Sequence, residues 1–217
     1  MESYDPLLSC VYWPGIRVAS LVRAAAGFDF LLSGRLNITR LVQIESTIAT
    51  LRSYLRNSST DQSRVDGIIT KTFCPQLDYH EAESVSYDQH ITALLNVVDI
   101  AKSQLQQPGH DSNVELLSLL DLIPKNQRAA VTSIIEKESL HGRLIALADQ
   151  DRICLAPAHA QACDIVVVLS GASQLYVLRP AGTEFRYVGN AYMNGVMGGE
   201  VVQTAHWREN IEEYSII

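Results

Sequence analysis

Long apolar runs, paired cysteines and a basic face are all missing from this sequence, and each absence excludes something. The four cysteines, Cys10, Cys74, Cys154 and Cys163, are scattered without CxxC spacing. That rules out a disulfide framework or a cysteine zinc site and fits reduced, buried thiols. No stretch approaches the ~18 apolar residues a spanning helix needs. Residues 1–30 contain no signal peptide, because Glu2 and Asp5 come first and Arg17 and Arg23 interrupt the apolar run. The expected location is therefore cytoplasmic. A net charge of -7 and a pI near 5.3 oppose a nucleic-acid partner, since phosphate binding needs a basic face, and disfavour an anionic membrane surface.

Reaction motifs are missing too. Gly195 to Gly199 lacks the Lys-Ser/Thr pair of a phosphate-cradling loop, and no Rossmann fingerprint is present. Ser170, in Leu-Ser-Gly, lacks the setting of a GxSxG nucleophile elbow. Cys154 and Cys163 sit in apolar stretches, as inert core thiols do. The segment Asp78–His90 gathers Asp78, His80, Glu81, Glu83, Asp88 and His90. Its spacing is not HExxH, and a solvated acidic loop has the same composition, so neither a metal nor another cofactor is expected.

What is present is apolar residue in quantity, 47% of the chain, enough for a core and too much for disorder. Residues 1–64 carry seven Arg against five acids, whereas 65–139 carry five bases against eleven acids. Two complementary helical layers account for that asymmetry, and a docking surface is the other reading.

Taken in order, residues 1–15 read as an extended arm ending at Trp13-Pro14-Gly15. Val18, Leu21, Val22, Ala25, Phe28 and Leu32 then follow helical spacing from Ile16. Leu41, Ile44, Ile48, Leu51 and Leu55 define a second helix, with Asn37 or Thr39 as its N-cap. Asp61 to Phe73 gives a third. Ile91, Leu94, Leu95, Val98, Ala101 and Leu105 mark a long one, ended by Gln107-Pro108-Gly109; Gln104 to Asn113 is the expected flexible loop. Two shorter helices follow, one capped by Asn113 and one opened by Pro124. Residues 16–139 thus give five or six helices and no strand.

At Gly142 the period changes. Arg143–Leu147 and Arg152–Leu155 alternate as a hairpin around Asp149-Gln150-Asp151. Ile165–Leu169, Leu175–Leu178 and Phe185–Val188 are further strands, with Tyr192-Met193 and Val201-Val202 as weaker ones. The pattern predicts an α+β fold: a helical layer of residues 1–139 packed on a small antiparallel β-barrel or curled sheet of residues 140–217, as one compact unit. The tail from His206 to Ile217 reads as a last helix docking back.

The β region resembles the C-terminal region of fungal heterokaryon-incompatibility (HET) domain proteins. The likeness rests on Gly142-Arg143, Leu155-Ala156-Pro157, Asp164, Gly171-Ala172 and the strand Tyr176-Val177-Leu178-Arg179-Pro180. Gly189, Tyr192, Gly195, Met197, Gly199 and Glu200 continue it in register. These positions are structural first: glycines for turns and bulges, Tyr192 and Met197 for packing. Asn190 stands where the family usually has Glu, Asn194 where it has His, and Gly198 where it has Asp. Nothing in residues 1–60 resembles the family's N-terminal HET domain, to which the cell-death activity is attributed, so that activity is not carried over.

Two functions remain open. One is a binding or interaction module of a fungal cytosolic system. The other is a cofactor-independent secondary-metabolism enzyme whose apolar pocket positions a hydrophobic small molecule for cyclisation or cycloaddition. The partner is accordingly a protein or a hydrophobic small molecule, and the sequence sets no oligomeric state. Candidate catalytic residues are Glu200 and His206, which flank a pocket if the tail folds over the barrel mouth. Candidate ligand-binding residues are Tyr176, Arg179, Tyr192, Asn194 and Trp207.

Overall fold

A computed structural model describes residues 11–27, 35–56, 61–73, 87–107, 114–135, 142–203 and 207–217. The elements run β1 (Val11–Gly27), β2 (Arg35–Leu36), α1 (Ile38–Leu55), α2 (Gln62–Phe73), α3 (Tyr87–Leu105), β3 (Val114–Glu115), α4 (Leu116–Leu120) and α5 (Lys125–Ile135). After them come β4 (Arg143–Ala148), β5 (Arg152–Pro157), β6 (Ile165–Leu169), β7 (Leu175–Ala181), β8 (Glu184–Ala191) and β9 (Ile211–Ile216). The fold is mixed α+β.

The helices form where the apolar spacing places them. Asn37 caps α1 by accepting a hydrogen bond from the Arg40 N–H at 3.0 Å. Leu41, Ile44, Ile48, Leu51 and Leu55 are buried against Val65, Ile69 and Phe73 of α2 and Ile91, Leu94 and Val98 of α3. Arg52 of α1 grips Asp66 of α2 through two hydrogen bonds of 2.8 and 2.7 Å. Residues 108–113, in the expected loop, and Asn113 as a cap lie outside the described residues.

Seven strands form one sheet in the order β5-β4-β1-β6-β7-β8-β9, and a further pairing of β9 with β1 closes five of them into a ring. The closure is antiparallel from Val11↔Ile216 to Ile16↔Ile211. Between β8 and β9 it rests on one parallel register pair, Phe185↔Ile216, and an N–H···O bond from Ile217 to Phe185.

The largest correction concerns β1. Residues 16–27, expected as helix, are extended and serve as the strand that joins everything else. Along β1, residues 11–16 pair with β9, 15–20 with β6 and 21–27 with β4. The misleading signal has a physical source. Register slips occur between Arg17 and Ala19, between Leu21 and Arg23, and between Ala24 and Ala26. Each bulge inserts one residue into a two-residue alternation, and steps of two and three then imitate helical spacing.

Smaller corrections follow from the same closure. The tail is not a helix but a 3-10 turn at Trp207–Asn210 followed by β9, because β1 and β8 offer it free edges. Val201-Val202 lies in a 3-10 turn, Glu200–Gln203. Tyr192 makes an isolated bridge with Leu155 in place of a strand. The pair β2–β3 adds a second small sheet before residue 139.

Burial explains why β4 and β5 bind the two layers. Ile145, Leu147, Ile153 and Leu155 join the helical core. The alternate residues Leu144, Ala146, Ala148, Cys154 and Ala156 join a second core with Val18, Leu21, Val166 and Val177. A third core, Ile165, Val167, Leu169, Leu178 and Tyr214, is built entirely from ring strands, and the Phe185 ring meets Tyr214 edge-on at 5.3 Å.

Candidate functional site

The β4–β5 turn, the bulged start of β1 and the segment after β8 meet around one cavity of about 280 Å³. Its wall is built from three pieces of local structure. β1 contributes Ile16, Arg17 and Val18; the turn contributes Gln150 and Arg152; Gly195, Val196, Glu200, Val201, Trp207 and Asn210 complete it. Gln150 and Asp151 both adopt left-handed backbone, φ 57° and 54°, which bends the hairpin tightly enough to present Arg152.

One guanidinium, of Arg152, and one carboxylate, of Glu200, belong to the cavity; Arg17, paired with Val167 across β1–β6, turns its side chain toward the Tyr214 cluster on the other face. Arg152 donates to the Val18 carbonyl at 3.2 Å, and Arg17 donates to the Ser20 hydroxyl. Neither makes a salt bridge with a carboxylate among the described residues. Glu200 folds back so that its Oε2 accepts the Gly198 N–H at 2.7 Å. A Cβ on Gly198 would lie 3.0 Å from Glu200 Oε1. Glycine in place of aspartate at this position therefore keeps a second carboxylate away from Glu200. The Trp207 ring carries Arg208 at 4.9 Å from its centroid.

Of the residues singled out from the sequence, Glu200 and Trp207 come together in this cavity. His206 lies outside the described residues, as do Asp78, His80, Glu81, Glu83, Cys10 and Cys74. Asp88 is the second residue of α3, and His90 is buried on it. Arg179 stands apart on β7. Its Nε and Nη2 bond Asp164 at 2.9 and 3.0 Å, and Nη2 also bonds the His159 carbonyl at 2.8 Å. The hydrogen bonds to Asp164, and then its charge, raise the guanidinium's pKa against the opposing pull of burial. Tyr176 packs on Tyr187 with centroids 5.8 Å apart, and the Tyr187 hydroxyl donates to Asn190 at 2.6 Å. Tyr192 exchanges backbone hydrogen bonds with Leu155 and packs on the helical core. Asn194 is half-buried in the turn after β8. Ser170 is exposed at the β6–β7 turn.

The Arg17 backbone, Gln150, Arg152 and Asn210 were missed as site residues. Reading Ile16-Arg17-Val18 as a strand puts the Arg17 side chain on the face opposite its two apolar neighbours.

The glycines and the arginine strand also fit the comparison with known families. Residues 127–211 match the Het-6 beta-barrel domain. The resemblance read from Gly142 to Glu200 is thereby supported by an independent match. The Het-6 barrel span covers less than half the chain, ends at the first residue of β9, and excludes β1. No curated protein and no solved structure matches the chain. Among the described residues, no helix is long and apolar enough to cross a membrane.

Proposed function

We propose that this chain is a binding module of a fungal cytosolic system, docking a protein partner through the β1–β9 ribbon beside its Het-6-like barrel span. The observation that carries this reading is the β1–β9 ribbon. Val11, Tyr12, Trp13 and Ile211 are all large, apolar and 42–63% exposed, on two strands that pair with each other. Alternation puts Val11 and Trp13 on one face of the ribbon and Tyr12 on the other, with Ile211 opposite Ile16 at its far end; exposed large apolar groups are a feature of interaction sites, and tyrosine and tryptophan are the usual anchors. The interior of the ring is meanwhile filled by Val167, Leu178 and Tyr214.

The alternative, a pocket enzyme for cyclisation or cycloaddition, needs an enclosed apolar cavity. The cavity described above is open to solvent and carries Arg152 and Glu200, so no observation favours that reading. The test is quantitative affinity capture from a fungal lysate with the wild-type chain and with Tyr12→Ser. One partner retained by the wild type and lost with Tyr12→Ser supports docking through the ribbon. Retention and chemical conversion of a metabolite from fungal extract, with capture unchanged in Tyr12→Ser, would overturn it.

A further inference from the structure

The face of the β1–β9 ribbon that carries Tyr12 runs into the cavity beside Trp207, and the groups along it specify a partner. Resting on the reading that this ribbon docks a protein, we infer that the face receives an extended segment with one lysine or arginine between two apolar side chains.

Register builds the face. Tyr214 is buried in the ring core, so its neighbours Glu213 and Ser215 point the opposite way. Their partners on β1 are Pro14 and Tyr12, and Ile211 pairs with Ile16, which also lines the cavity. Tyr12, Glu213 and Ile211 are all exposed. From one end to the other the face offers a tyrosine, a carboxylate and an apolar opening.

The two adjacent glutamates of β9 show why the middle position calls for a cation. Glu212 lies on the Tyr214 side and accepts the tyrosine hydroxyl at 3.1 Å. Glu213 has no hydrogen-bond or salt-bridge partner among the described residues. Pro14, directly across from it, has no N–H to give. A basic group on the partner satisfies that carboxylate, and its aliphatic stem covers the apolar surface on either side. The chain's net charge of -7 favours the approach of such a segment.

The cavity takes a side chain of another kind. At about 280 Å³ it falls just below the ~300–1,000 Å³ of small-molecule sites. Arg152 and Glu200 contribute one charge of each sign, while Ile16, Val18, Val196, Val201 and Trp207 supply an apolar wall. An uncharged apolar side chain matches that lining. Same-face positions on a strand are about 7 Å apart. An extended segment along β1 therefore meets the cavity, Glu213 and Tyr12 with residues i, i+2 and i+4, in either chain direction.

The test is an NMR titration of the full chain with the end-blocked peptide Leu-Thr-Arg-Thr-Leu, following the two indole N–H signals. Control peptides carry Gln or Glu at the centre, or Ala at both ends. Trp207 lines the cavity and Trp13 lies on the other ribbon face. The arginine peptide should shift the Trp207 signal, assigned with Trp207→Phe, saturably and leave Trp13 in place. The glutamine peptide should bind about three- to fivefold more weakly, the upper range for an exposed ion pair, and the alanine-ended peptide more weakly than the arginine one. Glu213→Gln should erase the difference between arginine and glutamine at an unchanged melting temperature. No saturable shift with the arginine peptide overturns the inference. So does a glutamate peptide that binds as well, an arginine preference that survives Glu213→Gln, or a shift confined to Trp13. A dimer of the chain that Tyr12→Ser dissociates overturns it too, by placing a second copy on this face. Affinity capture separates the two readings: a partner lost with Tyr12→Ser but kept by Glu213→Gln leaves ribbon docking standing and removes only the basic segment, whereas a partner kept by Tyr12→Ser removes both.

Discussion

The two sides of the barrel treat arginine in opposite ways. On the β7 side, Arg179 gives three hydrogen bonds to Asp164 and the His159 carbonyl. Asp164 is almost fully buried and also accepts the Gln161 N–H. These bonds hold the loop before β6 to β7. On the β1 side, among the described residues, Arg17 and Arg152 each give one side-chain bond to the protein and meet no carboxylate in a salt bridge. The same residue type is a rivet on one side and an open hand on the other. Arg179 lies in the strand that resembles the HET-protein tail, and Arg17 lies on a strand outside the matched span. The matched span therefore holds both the Arg179–Asp164 rivet and Arg152 and Glu200 of the cavity, while Arg17 lies outside it.

The largest effect expected from this contrast is on stability. Arg179→Met strands the buried Asp164 carboxylate with only the Gln161 N–H, and breaking one partner of a buried pair costs about 3 kcal/mol or more. Urea denaturation should show that loss directly. A cost below about 1 kcal/mol would mean that water reaches Asp164 and that the β7 side is no tighter than the other.

Gly189→Ala tests the same side through packing. At φ 157° a Cβ there would lie 2.6 Å from Pro157 Cγ, against a rigid ring at the end of β5. Gly189 is also where β8 slips register against β7. Overpacking of this kind costs about 1–3 kcal/mol. Pairing Gly189→Ala with Pro157→Ala should recover part of it, because the clash needs both partners.

How much of this was legible beforehand depended on whether local spacing matched the final contacts. The helices α1 to α3 and the β4–β5 hairpin were, since Leu41-Ile44-Ile48 and Leu144–Leu147 keep one period throughout. β1 was not, because its bulges broke the alternation at Arg17, Leu21 and Ala24. Reading it as helix also hid Arg17. β9 was missed for a different reason: Ile211–Ile216 is strand only because β1 pairs with it, a contact about two hundred residues away in sequence that no local pattern encodes. Glu200 and Trp207 were found together because both flank the segment carrying the tail resemblance. Arg152 was visible as a hairpin residue, and its aim into the cavity follows from the left-handed turn at Gln150-Asp151.

The thiols divide the barrel's interior from its surface. Burial pushes the Cys154 thiol up to about 12, with the charge of Arg143 and the Tyr192 backbone pulling slightly the other way. Cys163 is exposed. Iodoacetamide labelling at pH 8, read by peptide mass spectrometry, should modify Cys163 and leave Cys154 intact until the protein unfolds. The sign for stability follows from the raised folded value. Below pH 9, the thiol's ordinary value, the contribution is complete, and it is lost as pH rises from there toward 12 because the unfolded chain ionises first. Cys154→Ala should flatten that alkaline decline. Equal labelling of both cysteines in the folded protein would show that the core around Ala146, Cys154 and Ala156 opens readily.

The smallest expected effect bears on the comparison most sharply. Arg17 is exposed, and its side-chain bond among the described residues is local, to Ser20 three residues on. Arg17→Gln should therefore move stability by no more than about 0.5 kcal/mol, the range for surface changes away from special contacts. Arg152→Gln should cost slightly more, because the Val18 carbonyl loses its 3.2 Å donor beside a bulge that no other strand supports. Denaturation of the three arginine variants in parallel ranks them as Arg179→Met, Arg152→Gln, Arg17→Gln. If Arg17→Gln destabilised the barrel as much as Arg179→Met, Arg17 would be a structural group.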